Sequence, residues 1–366
     1  MVSNDKIQLA FAAINKRIID KMPENVEITG TTTYAYWGKD NKYPNFLFES
    51  YKDCPTLQTI INGYTDYIVG DGASSSYMAK PNPSQDWDEF LTSVGSDYIL
   101  FGIAYIQVIR NNAGKVAELH WLDSRYVRQD TNGEIFYYNE DFGKKYTKTH
   151  KTLIYPKYIK DAFDTPASVI AIKTPFSRSV YGTPIWESAV KAVLTEIAID
   201  DFHLSELDNN FTASAIINFN NGLPTDEQKD ELEKLITKKF TGTENAGRFL
   251  LSFNNGKDNA TTIERLSAND FDKRYDSLAK KTQKQIFTAF GVSPVVFGVE
   301  RENTGFSDED FMQAFKLFNR TKVQPVQKRI IDYIDKILGV KGSVVIRPFT
   351  ISFEDNVEET DKEAVN

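Results

Sequence analysis

The spacing of apolar residues predicts a helix near the start of the chain and several in its second half. An apolar residue recurs every three or four positions from Asn4 to Met22, and Pro23 follows the last turn. Four later stripes begin with a proline or a capping pair at Pro184, Thr225, Ser267 and Ser307. Pro325 lies inside the last stripe, so we expect that helix to kink or split.

Short runs of β-branched and aromatic residues predict strands between these helices. The runs Ile99–Arg110 and Val116–Arg128 flank a polar turn and indicate a hairpin or meander. Other strand-like runs are Ile135–Tyr138, Thr152–Tyr155, Val169–Lys173, Ser214–Phe219, Arg248–Phe253 and Val344–Phe353. A strand-rich first half followed by a helix-rich second half predicts an α+β fold.

The length and composition indicate at least two packed units. The chain has 366 residues, more than the roughly 250–300 at which a single core stops growing. Hydrophobic residues make up 41% and aromatic residues 13% of the chain, which excludes the disordered class.

There is one cysteine, Cys54, so no intrachain disulfide is expected. The sequence has neither the pattern of a signal peptide nor an uncharged apolar run of membrane-spanning length, so we expect no membrane association.

The net charge argues against a general attraction to polyanions. With 43 basic and 51 acidic residues the net charge is -8, so any DNA contact must be local.

No local motif indicates catalysis, a metal or a cofactor. His120, His150 and His203 are far apart, and none is four residues from another. The chain contains no phosphate-binding P-loop, and Gly70-Asp71-Gly72 is interpreted as a plain turn because a helix with the third glycine does not follow it. We therefore predict no catalytic residues, no metal and no cofactor.

Two predicted helices differ in charge. The helix after Pro184 carries Glu187, Glu196, Asp200, Asp201, Glu206 and Asp208, whereas the helix after Ser267 carries the basic cluster Lys273, Arg274, Lys280, Lys281 and Lys284. Three interpretations remain open: two solvated faces, a pairing set by opposite fields, or a track along a nucleic-acid backbone.

Several segments, in order, resemble the portal proteins of tailed bacteriophages, of the HK97-like or SPP1-like type. They are Gly38–Pro44, Leu100–Tyr105, Leu122–Arg128, Ser179–Pro184, and Ile286–Pro294 with Phe297-Gly298. The Tyr-Gly-Thr-Pro start of one helix and the Phe-Gly-Val-Ser-Pro end of another are the most specific pair. Ser293 departs from the family, which more often has proline there.

The resemblance implies a portal-like fold with an α/β wing, a two-helix stem, a small β-α-β clip and a long kinked tunnel helix. The implied boundaries are a wing over 1–183, stem helices over 184–211 and 267–291, a clip over 212–266, a tunnel loop region over 292–306, a long helix with a returning strand over 307–353, and an acidic tail or crown remnant over 354–366. Since so few residues follow the last strand, a short or absent crown is expected.

The resemblance also implies a function without catalysis. Portals form a ring, a twelve-subunit one in the virion, at the capsid vertex, and double-stranded DNA passes through it non-specifically during packaging and ejection. The implied partners are other copies of the chain, terminase, major capsid and scaffold proteins, and a neck or adaptor protein. Expected tunnel-lining residues are Glu300, Arg301, Glu302, Asn303, Thr304, Gly305 and Phe306, and expected terminase-facing clip residues are Asn220, Asn221, Gly222 and Asp226.

Two other classes remain as alternatives. A cytosolic enzyme with a dispersed active site would leave no motif. A nucleic-acid-binding module that forms no ring would use Lys280, Lys281 and Lys284.

Overall fold

A computed structural model describes residues 27–28, 34–142, 151–163, 165–175, 177, 179–208, 216–219, 250–253, 268–299 and 308–351. The chain divides into two compact units. The smaller unit comprises residues 1–20 and 194–283, and the larger unit comprises residues 21–193 and 284–366. The initial helix predicted over Asn4–Met22 lies outside the described residues.

The described helices are α1 (Tyr43–Asp53), α2 (Pro55–Val69), α3 (Trp87–Phe101), α4 (Val190–Asp208), α5 (Ala268–Phe290), α6 (Asp308–Phe318) and α7 (Gln324–Leu338). The described strands are β1 (Glu27–Ile28), β2 (Tyr36–Trp37), β3 (Ala73–Ser74), β4 (Ile103–Arg110), β5 (Val116–Leu122), β6 (Val127–Gln129), β7 (Ile135–Tyr138), β8 (Leu153–Pro156), β9 (Ala167–Lys173), β10 (Ile216–Phe219), β11 (Leu250–Phe253) and β12 (Val345–Ile346). Short 3-10 turns occur at Ser124–Tyr126, Glu187–Ala189 and Pro294–Phe297.

Two antiparallel three-stranded sheets form much of the larger unit. In the first, β4 lies between β5 and β9, and in the second the order is β6, β7, β8. β4 is buried along most of its length, as expected for a central strand. The rings of Tyr105 on β4 and Phe136 on β7 are 5.9 Å apart, so the two sheets share one core.

The hairpin predicted around Asn111 and Asn112 is confirmed, but the predicted first strand was too long. Residues Ile99–Phe101 form the last turn of α3 and not the start of a strand. α3 begins at a capping box in which Asp86 and Glu89 each bond the other's backbone N–H. Gly102 ends it with a left-handed φ of 73°, after which the chain continues as β4.

The long C-terminal helix is split, as the position of Pro325 predicted. α6 runs into a π-helical turn at Asn319–Val323, and α7 follows from Gln324. Pro325 lies in the first turn of α7, where a missing N–H is tolerated. The π turn therefore contains the irregularity that the proline imposes.

Three other boundaries differ from their predictions. The run Val116–Arg128 forms β5 and β6 with a 3-10 turn between them. After Pro184 the chain forms a 3-10 turn first, and the α-helix begins only at Val190. Among the described residues of the last predicted strand, only β12 forms a ladder, and it pairs antiparallel with β3. Pro348 follows β12 closely and has no N–H to extend the ladder.

The smaller unit contains a parallel pair of strands, β10 and β11. Both lie where the sequence predicts strands. The helix predicted at Thr225 between them lies outside the described residues, so the β-α-β unit stays a prediction.

Candidate functional site

Arg128 links two of the sequence motifs through a buried guanidinium. Its Nε donates to Asn41 Oδ1 at 2.5 Å, and its Nη2 donates to the Asn41 carbonyl at 2.9 Å. Its Nη1 donates to the carbonyls of Arg125 and Val127 at 2.9 and 2.8 Å. The guanidinium also lies 4.9 Å from the centre of the Phe142 ring. Burial lowers the pKa of Arg128, and these hydrogen bonds compensate the buried charge.

Tyr181 links the motif that precedes α4 to the start of the larger unit. Its ring stacks on Trp37 with centroids 4.5 Å apart, and its hydroxyl donates to the Ala35 carbonyl. The same hydroxyl accepts from the backbone N–H of Gln129 at 3.2 Å. Gln129 Nε2 donates to the Tyr105 hydroxyl at 2.7 Å, so a third motif joins this buried polar group.

Gly102 and Gly182 allow two backbone segments to touch. A Cβ on Gly182 would lie 2.2 Å from the Gly102 carbonyl oxygen, and a Cβ on Gly102 would lie 2.2 Å from the Thr183 carbonyl oxygen. Trp186 Nε1 donates to the Leu100 carbonyl at 3.1 Å beside this contact. The segment leading to α4 is thus held against the end of α3 by main-chain proximity that only glycine permits.

The last motif packs on α2. A Cβ on Gly63 would lie 2.7 Å from the ring of Phe297, and the Tyr67 hydroxyl donates to the Val296 carbonyl at 2.9 Å. Phe318 completes the cluster, with its ring 5.6 Å from that of Phe297. All the motifs therefore contribute to the packing of the larger unit.

Asp97 is a buried carboxyl group on α3. Three donors reach its Oδ2: Trp121 Nε1 at 2.9 Å, the Ser124 N–H at 2.9 Å and the Ser124 hydroxyl at 2.7 Å. Burial, together with the nearby charge of Asp123, raises the pKa of Asp97 to about 8, against the opposing effect of the three hydrogen bonds. The network fixes the turn between β5 and β6 onto α3.

This raised pKa predicts a pH-dependent stability that Asp97→Asn removes. In the unfolded chain Asp97 ionises near pH 4, whereas in the folded protein it stays protonated up to about pH 8, so the folded state binds more protons in between. The contribution of Asp97 to the free energy of unfolding is therefore complete below about pH 4 and falls as pH rises, by at most about 1.4 kcal/mol per unit. We expect urea unfolding at the two pH values to show that the free energy of unfolding falls less between pH 5 and pH 7.5 for Asp97→Asn than for the wild type. Equal losses in the two proteins would contradict the assignment.

The predicted basic cluster lies on α5. Lys280, Lys281 and Lys284 are exposed, and Lys273 and Arg274 belong to the same helix. On the acidic helix, α4, Asp200 and Asp201 are exposed. All three interpretations of this charge segregation remain open.

The predicted tunnel and clip residues lie outside the described residues. This applies to the tunnel-lining set Glu300–Phe306 and to Asn220, Asn221, Gly222 and Asp226. Their assigned roles remain predictions.

Neither a metal-binding cluster nor a membrane-spanning helix is found in the part of the chain that the structure describes. Within those residues no three His, Cys, Asp or Glu side chains group around a common centre. The described helices include none that is long and apolar enough to cross a membrane.

Three features escaped the sequence-based prediction. The first is α1, which begins at the Tyr43-Pro44 pair. The second is α3, whose capping pair Asp86 and Glu89 was the available signal. The third is a set of cations along α6, the π turn and α7. Between Phe311 and Ile331 the chain carries Lys316, Arg320, Lys322, Lys328 and Arg329 and no carboxylate. Charge counting along this segment would have found it.

The mixed helix-and-sheet fold is similar to that of chains in solved structures of a gene transfer agent particle. Over 92% of this chain and 89% of the other, it superposes with a TM-score of 0.56 and 18% identity on a chain of the virion of a native gene transfer agent particle. The neck of the native gene transfer agent particle, computed with C12 symmetry, gives the same TM-score over 87% of this chain and 85% of that chain, with 18% identity.

The sequence comparisons identify the family. Residues 65–363 match the family model described as phage portal protein. The chain is 23% identical over 285 residues to the "Probable portal protein" of Escherichia phage P2, covering 77% of this chain and 75% of that protein. It is also 23% identical over 249 residues to an uncharacterized protein of Rickettsia bellii (strain RML369-C), covering 67% of this chain. The chain spans about 60% of the length of that rickettsial relative. Since the family model covers most of its residues, this chain belongs to the phage portal protein family.

Proposed function

We propose that this chain forms a homo-oligomeric ring at the capsid vertex of a phage-like particle and that double-stranded DNA enters and leaves through the ring. The observation that carries the proposal is the shared fold with the chain of the neck structure computed with C12 symmetry. Family membership supports the same function. In a closed ring each subunit contacts two neighbours through different surfaces, and the axis is left open as a channel.

We assign the parts of a portal to the elements of the fold in the order in which they follow along the chain. We assign the wing to residues 1–183, and the two stem helices to α4 and α5. The clip is assigned to residues 212–266, where the parallel pair β10 and β11 supports a β-α-β unit. The split helix formed by α6 and α7 is assigned to the long tunnel helix, and β12 to the strand that returns to the wing. Residues 354–366 are assigned to a tail or to the remnant of a crown.

The tunnel region is assigned from sequence order. Residues Val299–Phe306 precede α6 and would line the narrowest part of the channel. Glu300 and Glu302 flank Arg301, so this segment is net acidic. An acidic lining limits the binding of phosphates and lets DNA of any sequence pass.

The clip, through Asn220, Asn221, Gly222 and Asp226, would bind first terminase and later a neck or adaptor protein. The wing would contact the major capsid and scaffold proteins. Because the sequence has no P-loop, terminase would supply the energy for packaging, and this chain would carry no catalytic residues.

The mass of the assembly tests the proposal. Twelve copies of the 41.6 kDa chain would form a particle of about 500 kDa. We expect light scattering after size exclusion to give that mass and negative-stain images to show an end-on ring with a central hole.

A matched sample with the capsid and scaffold proteins of the same particle controls for assembly that needs those partners. A 41.6 kDa species that persists at all concentrations and in their presence would contradict the ring.

A further inference from the structure

The middle of the split helix is the most basic part of the described chain that the proposed function leaves without a role. Five cations and no carboxylate lie between Phe311 and Ile331, in a protein whose net charge is -8. Such a local reversal of charge is a binding surface for an anion or for an acidic partner.

Three of the five cations, Lys316, Arg320 and Lys328, project from the side of the helix that is opposite to the core. Phe315, Phe318, Val323 and Ile330 are buried, and the Phe318 ring lies 5.0 Å from that of Tyr64 on α2. The exposed side chains include Lys316, Arg320, Gln324 and Lys328. We call these four residues the basic strip.

The π turn keeps the basic strip on one side of the helix. Its members are four residues apart, which corresponds to roughly 6 Å along the axis. In a regular α-helix of 3.6 residues per turn, positions four apart drift steadily around the axis. The π turn at Asn319–Val323 holds more residues per turn, so the drift across it is smaller.

The charges of the basic strip are not neutralised by ion pairs within the described part of the chain. Lys316, Arg320 and Lys328 have no carboxylate within 4.0 Å among those residues, although Asp332 lies one turn from Lys328. The next carboxylate, Asp335, accepts hydrogen bonds from Gly342 and Ser343 instead. The cations are therefore available to a ligand.

We propose that the basic strip binds the phosphate backbone of double-stranded DNA. This inference rests on the proposed function, which brings DNA to the protein. Lys and Arg contact phosphates as point charges or forks, and Gln324 adds an amide donor of the kind that also contacts phosphates. Contacts to phosphates carry no sequence information, so we expect this contact to be independent of DNA sequence.

An acidic protein surface is the other class of ligand that a basic strip could bind, and the composition argues against it. The core of a protein-protein interface is depleted of charged residues and enriched in aromatic ones. Along the basic strip the exposed residues are charged or polar, with Leu317 and Pro325 the exceptions. Protein-DNA interfaces have this polar and strongly positive composition.

The contact is compatible with movement of DNA. Non-specific binding at physiological salt has a dissociation constant on the order of 10⁻⁴–10⁻⁶ M. Contacts of that strength form and break rapidly and leave DNA free to slide.

The test is DNA binding by a triple variant of the full chain, Lys316→Gln, Arg320→Gln and Lys328→Gln. A control variant, Lys80→Gln, Lys115→Gln and Lys151→Gln, removes the same charge from exposed positions elsewhere. Fluorescence anisotropy of a labelled duplex of random sequence, measured over a series of KCl concentrations, gives the affinity and its salt dependence. We expect the triple variant to lose about tenfold or more in affinity at low salt. We also expect the slope of log K against log[KCl] to become less steep by about 2–3. The control should stay within about twofold of the wild type.

The outcomes separate this inference from the proposed function. An unchanged slope and affinity in the triple variant would overturn the inference. A triple variant that binds DNA normally but no longer assembles would also overturn it, because the basic strip would then contact a neighbouring subunit and not DNA. A wild-type ring that binds no DNA at low salt would overturn the inference and leave the ring intact. A wild-type protein that never forms a ring contradicts the proposed function. In that case, the salt dependence of DNA binding, compared between wild-type and triple-variant subunits, still tests the inference.

Discussion

Gly182→Ala is expected to destabilise the larger unit by at least about 3 kcal/mol, because the new methyl group has no space. Its Cβ would lie 2.2 Å from the Gly102 carbonyl oxygen and 2.7 Å from the Cβ of Ile103. Both obstacles are backbone or the first side-chain atom, so no rotamer change relieves the contact. The end of α3 and the segment before α4 would have to separate. Since a domain is stable by only about 5–15 kcal/mol, we expect a large drop in the midpoint of urea unfolding and in Tm.

Two other glycines provide matched controls for the added methyl group. At Gly95, within α3, the nearest atom would be 3.4 Å from the Cβ, so Gly95→Ala should be neutral or stabilising through its higher helix propensity. At Gly342 the Cβ would meet nothing within 4 Å, and only the positive φ of 69° opposes the change, so Gly342→Ala should cost about 1 kcal/mol. A Gly182→Ala protein as stable as the Gly95→Ala protein would refute the close contact.

Periodicity predicted the amphipathic elements of the fold well. β7 lies at the predicted residues, Ile135–Tyr138, and α5 ends where Gly291 predicted. The prediction was wrong at the end of α3, because Ile99, Leu100 and Phe101 are all buried and continue the apolar run of β4. A helical turn that is apolar on every side has no stripe, and composition then favours a strand. Only the left-handed Gly102 separates the two elements.

The motifs were visible in the sequence, whereas their partners were not. Asn41 and Arg128 are 87 residues apart, and a single sequence contains no signal for such a pairing. The cations of the basic strip were visible in the sequence, where charge counting would have found them. The π turn that helps to keep them on one side of the helix was not visible there.

Arg128→Ala is expected to destabilise the larger unit by roughly 3–5 kcal/mol, because it leaves buried acceptors without donors. The guanidinium supplies hydrogen bonds to the side-chain and backbone oxygens of Asn41 and to the carbonyls of Arg125 and Val127. Removing it also leaves a cavity beside Phe142. Urea unfolding followed by tryptophan fluorescence measures the loss, and Trp37, next to Asn41 in this core, reports on the site itself.

Arg128→Lys distinguishes the loss of hydrogen bonds from the loss of charge. Lysine keeps the cation but has a single nitrogen, so it cannot donate to Asn41 and to the two other carbonyls with the fork of arginine. We expect it to be less stable than the wild type and more stable than Arg128→Ala. Arg320→Ala, which removes an exposed arginine, should change the free energy of unfolding by no more than about 0.5 kcal/mol. If Arg128→Lys were as stable as the wild type, charge and volume alone would explain the role of Arg128, and the four hydrogen bonds would not be needed.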